Sequence, residues 1–248
     1  MFILSILFFV TAILYSSVGF GGGSTYLALL LIWDIPYYIF PILALVCNVI
    51  VVSGNSFNYV RTGNFNSKLL LIYLVGSIPF AFLGGSIAIE KKFFEIILFV
   101  VLCLAGFFLL ISNRNYSKKK IKINYINPLI SIMIGSVVGF VSGIVGIGGG
   151  IFLSPILFLL KAAYPKQIVT TASLFILLNS ISGILGQLTK ENVMNELFNY
   201  YPLFLAVLIG GQIGNFLNLK FLSNRLLAIL TSLLVIFVAI RIGIRIFY

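Results

Sequence analysis

The stretch Gly19-Phe20-Gly21-Gly22-Gly23-Ser24-Thr25 lies inside a long apolar run, and Gly146-Ile147-Gly148-Gly149-Gly150-Ile151-Phe152 lies in the same way in the second half of the chain. Glycine inside a helix costs about 1 kcal/mol relative to alanine, so consecutive glycines favour a break in each helix. In a bilayer, such a break is tolerated only where the freed backbone is buried in protein or lines a cavity. Broken segments at matching places in two halves are typical of a binding site in a membrane transporter.

The composition is that of a membrane protein. The 248 residues are 61% hydrophobic and only 8% charged, unlike a soluble domain. A spanning helix needs about 20 apolar residues. Eight apolar segments lie near 2–32, 36–58, 69–89, 93–112, 126–160, 167–188, 198–219 and 225–247. We therefore predict an all-α integral membrane protein whose first and fifth segments, the long ones that hold the glycines, are broken or re-entrant.

The two halves of the chain resemble each other beyond the glycine stretches. Ser53-Gly54 matches Ser182-Gly183, and Gly84-Gly85 matches Gly210-Gly211. These matches recur at an interval of about 125 to 130 residues, which indicates an internal repeat.

A basic segment joins the two halves. Residues 113–125 carry five basic side chains and no acid, which places them in the cytoplasm. We predict a first transmembrane repeat over 1–112, this cytoplasmic linker, and a second transmembrane repeat over 126–248. The distribution of Lys and Arg leaves parallel and inverted repeats open, because the two arrangements differ by a single residue. The glycine breaks favour the inverted one.

Charge and composition exclude several function classes. The net charge of +11 comes from Lys and Arg in short loops and at segment ends, so we predict orientation in the lipid bilayer and no nucleic-acid partner. The acidic residues also lie in loops or at segment ends, which argues against a cation exchanger. The chain has no His, and we predict that Cys47 and Cys103 are buried free thiols. We predict no metal, no cofactor and no enzymatic activity, because an acid or base for catalysis is missing.

The glycine stretches have the chemistry of an anion site. A glycine-rich turn that opens a helix leaves backbone N–H groups unpaired, with the positive end of the helix dipole behind them. Ser24 and Thr25 add hydroxyl donors to the first copy, whereas Ile151 and Phe152 add none to the second. The alternative is helix packing, since both copies also match the GxxxG pattern. Packing would use only the outer glycines of each copy and leaves the inner ones unexplained.

Polar side chains in the second and sixth segments extend this predicted site. Interhelical hydrogen bonding is the alternative role for them. The predicted substrate-binding residues are Gly21, Gly22, Gly23, Ser24, Thr25, Asn48, Ser53, Gly148, Gly149, Gly150, Thr171, Ser173 and Asn179.

The paired Gly-x-Gly-Gly-Gly motifs, the second followed by Ser154-Pro155, stand in an eight-segment chain of two similar halves. In this the chain resembles the sulfite exporter TauE/SafE family of bacterial membrane permeases. The resemblance implies a multi-pass protein of the bacterial inner (cytoplasmic) membrane that transports small sulfur-containing anions such as sulfite or organosulfonates, with export favoured. Ala28 stands where the second copy has Pro155, so the two half-sites need not be equivalent.

Two alternatives to this function remain at the level of sequence. One is an uptake permease for another small anion, and the other is a membrane scaffold that transports nothing. The sequence predicts a small anionic substrate, but it leaves open which sulfur anion fits, the direction of transport, a homo-oligomer and a coupling ion.

Overall fold

The computed structural model describes residues 1–33, 35–61, 63–114, 124, 126–190 and 196–220, together with residues 233, 236, 237, 240, 243 and 244. In this part of the chain every regular element is a helix and no strand is present. The prediction of an all-α protein is confirmed.

The helices follow the predicted apolar segments closely. The first half contains α1 (Phe2–Val18), α2 (Gly23–Ile32), a 3₁₀ turn (Tyr37–Ile39), α3 (Phe40–Arg61), α4 (Ser67–Ser86) and α5 (Lys91–Arg114). The second half contains α6 (Pro128–Val145), α7 (Gly150–Leu159), α8 (Pro165–Gln187), a 3₁₀ turn (Phe198–Tyr200) and α9 (Tyr201–Lys220).

The first and fifth apolar segments are each broken into two helices at their glycines, as predicted. The first break (residues 19–22) separates α1 from α2, and the second break (residues 146–149) separates α6 from α7. Most of the predicted eighth segment lies outside the described residues. The same holds for most of the predicted linker 113–125, although its first two residues extend α5.

Glycine sets the ends of the helices at both breaks. Gly19 and Gly146 end α1 and α6 with φ angles of 86° and 89°. Gly22 and Gly149 precede α2 and α7 with φ angles of 90° and 78°. These are left-handed conformations that other residues adopt only with strain, so the sequence of each motif fixes the end of one helix and the start of the next.

Small residues allow the long helices to pack backbone against backbone. A Cβ atom added to Gly139 in α6 would overlap the carbonyl oxygen of Ser77 in α4, and one added to Gly214 in α9 would overlap that of Ile13 in α1. The first helix of each half therefore packs on the helix of the third apolar segment of the other half, α1 on α9 and α6 on α4. In a bilayer such close packing replaces the hydrophobic driving force between helices.

Two buried amides make equivalent hydrogen bonds in the two halves. Asn55 Nδ2 in α3 donates to the carbonyl oxygen of Ser16, at 3.1 Å. Gln187 Nε2 in α8 donates to that of Gly143, at 3.0 Å. Both acceptors lie three residues before the glycine that ends the helix, so each amide anchors the end of α1 or α6 next to its break.

Five helical stretches among the described residues are long and apolar enough to cross a membrane: Tyr37–Arg61, Ser67–Ser86, Pro128–Val145, Lys166–Gln187 and Phe198–Leu217. The segments Phe2–Ser17, Gly23–Ile32 and Gly150–Leu159 are shorter apolar helices beside the breaks. The architecture is that of an all-α membrane protein whose broken helices lie among longer ones.

The packing of α6 on α4 yields a stability prediction. Gly139→Ala should lower the thermal unfolding temperature in detergent, because overpacking costs about 1–3 kcal/mol where the backbones must separate. Gly211→Ala in α9 is the matched control, since its Cβ would meet Val51 at 3.4 Å, an ordinary van der Waals distance. Equal unfolding temperatures for the two variants would contradict this account of the interface.

Candidate functional site

A small cavity lies between the two breaks. Its walls are formed by Tyr15, Phe20, Gly21, Gly22, Gly23 and Ser24 from the first half and by Ile147, Ile151 and Ile176 from the second. Its volume of about 10 Å³ is at the lower limit for one water molecule. A larger ligand therefore requires these walls to separate.

The backbone of the first break comes into direct contact with that of the second. A Cβ atom added to Gly23 would lie 3.0 Å from the carbonyl oxygen of Ile147 and 3.1 Å from that of Gly146. A side chain at this position would force the two backbones slightly apart. The crossing of the two breaks therefore explains Gly23, the fourth glycine of the first motif.

Both breaks contain backbone N–H groups without an acceptor. Within the described residues, no acceptor is present for the N–H groups of residues 21–24 or of residues 147–151. They include the first N–H groups of α2 and α7, which a helix leaves without an internal partner. Because the positive ends of two helix dipoles lie behind them, these groups favour a negative ligand.

Asn48 connects the two breaks from α3. The side chain is fully buried, and its Nδ2 donates to the carbonyl oxygens of Ile147, at 3.0 Å, and Gly146, at 3.5 Å. Its Oδ1 lies against Gly21, where an added Cβ atom would overlap it. The amide thus satisfies two freed carbonyl groups of the second break and presents its oxygen to the first.

Hydroxyl groups gather at the start of α2. The Tyr15 hydroxyl lies 3.2 Å from Ser24 Oγ and 2.8 Å from Thr25 Oγ1, and all three residues are buried. Tyr15 was missed in the sequence. The signal that could have found it is a tyrosine four residues before Gly19 in an apolar segment, where a buried hydroxyl requires a partner.

Two side chains of α8 lie beside the second break. Asn179 Oδ1 accepts a hydrogen bond from Ser77 Oγ, and its Nδ2 lies 2.9 Å from the position of a Cβ on Gly149. Ser180 Oγ lies at the same distance from the position of a Cβ on Gly148. Neither Asn179 Nδ2 nor Ser180 Oγ has a partner within the described residues. Ser180, like Tyr15, was not predicted.

The remaining predicted residues lie elsewhere. Ser53 is exposed and donates to the carbonyl oxygen of Ile50 in its own helix. Ser173 joins α8 to α3 through Ser56, with 3.2 Å between the hydroxyl oxygens. Thr171 is buried in α8 and its hydroxyl has no partner within the described residues. None of these predicted residues lines the cavity, so the structure does not bring them together with the breaks.

Gly150 allows α7 and α8 to pack closely against each other. A Cβ atom added there would overlap the Ile176 side chain and lie 2.9 Å from the carbonyl oxygen of Ala172, both in α8. Its small size lets α7 begin directly against α8.

The described residues contain no cluster of three or more His, Cys, Asp or Glu side chains that could hold a metal ion. Both cysteines are free, and Cys47 is buried as predicted. The prediction is wrong for Cys103, which lies on an exposed face of α5 because the apolar character of that helix does not by itself bury every side.

The five described helices that are long and apolar enough to cross a membrane, with broken helices among them, are those of a multi-pass membrane protein. The chain matches the model of the family described as "Sulfite exporter TauE/SafE" over residues 4–242. It therefore belongs to the sulfite exporter TauE/SafE family.

Curated relatives bear names of the same kind. A "Probable membrane transporter protein" of Sinorhizobium fredii is 29% identical over 93% of this chain and 93% of its own length. One of Methanocaldococcus jannaschii is 29% identical over 94% of this chain and 91% of its own length. One of Bacillus subtilis is 23% identical over 94% of both chains. No solved structure gives a significant match.

The contact between Asn48 and the second break yields a second stability prediction. Asn48→Ala leaves the carbonyl oxygens of Gly146 and Ile147 without this donor, which should destabilise the protein by about 1–3 kcal/mol. Thermal unfolding measures the effect, with Asn58→Ala on the half-buried part of α3 as the control. If the two variants unfold at the same temperature, these hydrogen bonds do not contribute to the stability of the protein.

Proposed function

We propose that the protein exports a small sulfur oxyanion, sulfite or an organosulfonate, across the inner membrane of a bacterium. The observation that carries the proposal is the set of unpaired N–H groups at residues 21–24, which lie in the wall of a buried cavity beside the hydroxyl groups of Tyr15 and Ser24. The description of the family supports a sulfur anion as cargo and export as the direction. No catalytic step belongs to this function.

The donors of the site suit an anion that must be both bound and released. Each helix N-terminus contributes the equivalent of about half a positive charge. None of the residues in the cavity wall is cationic. Transport requires binding that is strong enough to capture the cargo and weak enough to let it leave. Backbone donors without a full opposing charge meet both requirements.

The opposite wall of the cavity favours sulfite and sulfonates over sulfate. Ile147, Ile151 and Ile176 are apolar there. The oxygens of a sulfonate can face the N–H groups while its carbon, or the bare sulfur of sulfite, faces the isoleucines. Sulfate would place a fourth oxygen against this apolar wall, where it loses its hydrogen bonds to water.

The mechanism we propose is alternating access between two inverted repeats, 1–112 and 126–248, joined by the cytoplasmic linker 113–125. The reciprocal packing of α1 on α9 and of α6 on α4 supports the repeat, as do the equivalent hydrogen bonds of Asn55 and Gln187. Rocking of one repeat against the other would open the cavity first to one side of the membrane and then to the other.

A ligand panel tests the cargo. Sulfite, or a sulfonate such as methanesulfonate, should raise the unfolding temperature of the purified protein more than sulfate, phosphate or acetate. A ligand that binds only the folded state stabilises it by about 2.7 kcal/mol at one hundred times its Kd. No shift with any anion, in a protein that is folded and monodisperse, would contradict the proposal. A shift with phosphate or acetate alone would point to a transporter of another anion.

A pair of glycine variants tests the place of the site. Gly22→Ala and Gly63→Ala both put a side chain at a left-handed position, with φ angles of 90° and 73°, so both carry about 1–2 kcal/mol of backbone strain. The new Cβ of Gly22→Ala lies 3.1 Å from the Tyr26 ring beside the cavity, whereas that of Gly63→Ala meets nothing within 4 Å.

The anion-dependent shift and the transport of labelled sulfite into inverted vesicles should be lost in Gly22→Ala and kept in Gly63→Ala. A folded Gly22→Ala protein that transports normally would place the site elsewhere.

A further inference from the structure

Asn48 presents a buried hydrogen-bond acceptor that nothing satisfies. Its Oδ1 has no hydrogen-bond partner within the described residues, although the side chain is fully buried. Asn48 does not itself line the cavity, but its oxygen lies against Gly21, which does, so a ligand reaches the oxygen when the walls separate. A buried acceptor without a donor is costly, and such a group indicates a missing partner.

The orientation of the amide is fixed by its other end. Nδ2 donates to the carbonyl oxygens of Ile147 and Gly146, and the reversed amide would place an acceptor against two acceptors. The oxygen therefore faces the first break, and the NH₂ group cannot turn to serve a ligand there.

An acceptor is out of place in a site built for a fully deprotonated anion. The other groups at the first break are N–H donors and hydroxyls, all of which suit the oxygens of the cargo. The oxygen of Asn48 would repel these oxygens, unless the cargo carries a hydrogen at this point.

We infer that the cargo carries a hydrogen-bond donor of its own, and that Asn48 Oδ1 accepts from it. The site would then bind a sulfur oxyanion with an O–H or N–H group, such as hydrogensulfite, in preference to a sulfur oxyanion of the same charge without one. This inference rests on the proposed function, because it names the substrate class of the same site.

A bound cation is a weaker explanation of the same oxygen. A cation needs several oxygen ligands, and the carbonyl groups nearest to Asn48 already accept from its Nδ2. The four N–H groups at residues 21–24 cannot bind a cation. Among the described residues, the carbonyl oxygens of Phe20 and Gly21 lack a backbone donor, and with Asn48 Oδ1 they make three oxygens, fewer than the roughly six that a metal cation takes.

Protonated cargo also explains how the protein could move a proton without an acid of its own in the cavity wall. Hydrogensulfite takes its proton across with it, so each anion exported removes one proton from the cytoplasm. No side chain has to titrate in this cycle.

Two isosteric anions test the inference on the unmodified protein. Sulfamate and methanesulfonate have the same charge and nearly the same size, but sulfamate carries an NH₂ group where methanesulfonate carries a methyl group. Sulfamate can turn its NH₂ group away from the isoleucines and toward Asn48 Oδ1, so we expect it to bind at least about tenfold more tightly than methanesulfonate, measured by calorimetry or by ligand-dependent unfolding. The affinity for sulfite should fall as the pH rises through the deprotonation of hydrogensulfite, while that for methanesulfonate stays constant.

A variant of Asn48 assigns the preference to its oxygen. Asn48→Ala should bind sulfamate and methanesulfonate equally well, since the acceptor is gone, whereas Asn58→Ala should keep the preference of the unmodified protein. A loss of discrimination is not produced by a general loss of stability, which would weaken the binding of both anions together. If Asn48→Ala does not fold, the comparison of sulfamate with methanesulfonate in the unmodified protein tests the inference by itself.

The outcomes separate this inference from the proposed function. Equal binding of sulfamate and methanesulfonate by the unmodified protein would overturn the inference and leave the anion site in place. If the unmodified protein binds neither anion and does not bind sulfite at any pH, both the proposed function and the inference are overturned. If sodium alone stabilises the unmodified protein but not Asn48→Ala, then Asn48 Oδ1 binds a cation and the inference is overturned.

Discussion

The hydrogen bonds from Asn48 Nδ2 to the carbonyl oxygens of Ile147 and Gly146 are the interaction on which the rest of the site depends. Breaking two helices in an apolar interior frees both N–H and C=O groups, and neither kind can be left to lipid. The amide satisfies the carbonyl groups of the second break, and Gly23 lets the first break approach the same atoms. The N–H groups at the starts of α2 and α7 remain without acceptors among the described residues, and in the proposed function these groups bind the anion.

Glycine has two separate functions in this fold, and the structure distinguishes them. The motif Gly19 to Gly23 fits the GxxxG pattern, but a helix ends and another begins between its outer glycines. It is therefore not the packing face of a single helix. Backbone packing occurs instead at isolated glycines within long helices, such as Gly139 against Ser77. A continuous GxxxG helix face is excluded for the motif because left-handed φ angles cannot occur within an α-helix, although Gly23 and Gly150 each allow a close contact with the neighbouring structure.

Sequence alone predicted the segments and both breaks, because apolar length and runs of glycine are local signals. It failed where the position of a side chain depends on the tertiary fold. Ser53 is five residues after Asn48, so it lies about 140° around the helix and faces outward. Tyr15 lies ten residues before Thr25 on another helix, and only the turn at Gly19 brings their hydroxyls within 2.8 Å. No polarity pattern encodes that contact.

In the proposed mechanism, the chemical difference between the two halves of the site allows the anion to be released. Both breaks have unpaired N–H groups, but only the first half adds hydroxyl groups to the cavity wall, whereas the second half adds the side chains of Ile147, Ile151 and Ile176. In the proposed mechanism, rocking the repeats apart removes this apolar wall from the donors and lets water reach them. Water then competes for the same N–H groups that held the anion, and no charged side chain remains to retain it. Because the closed cavity has room for no more than about one water molecule, separation of the walls must also admit the anion, and release follows when water replaces the anion at the N–H groups.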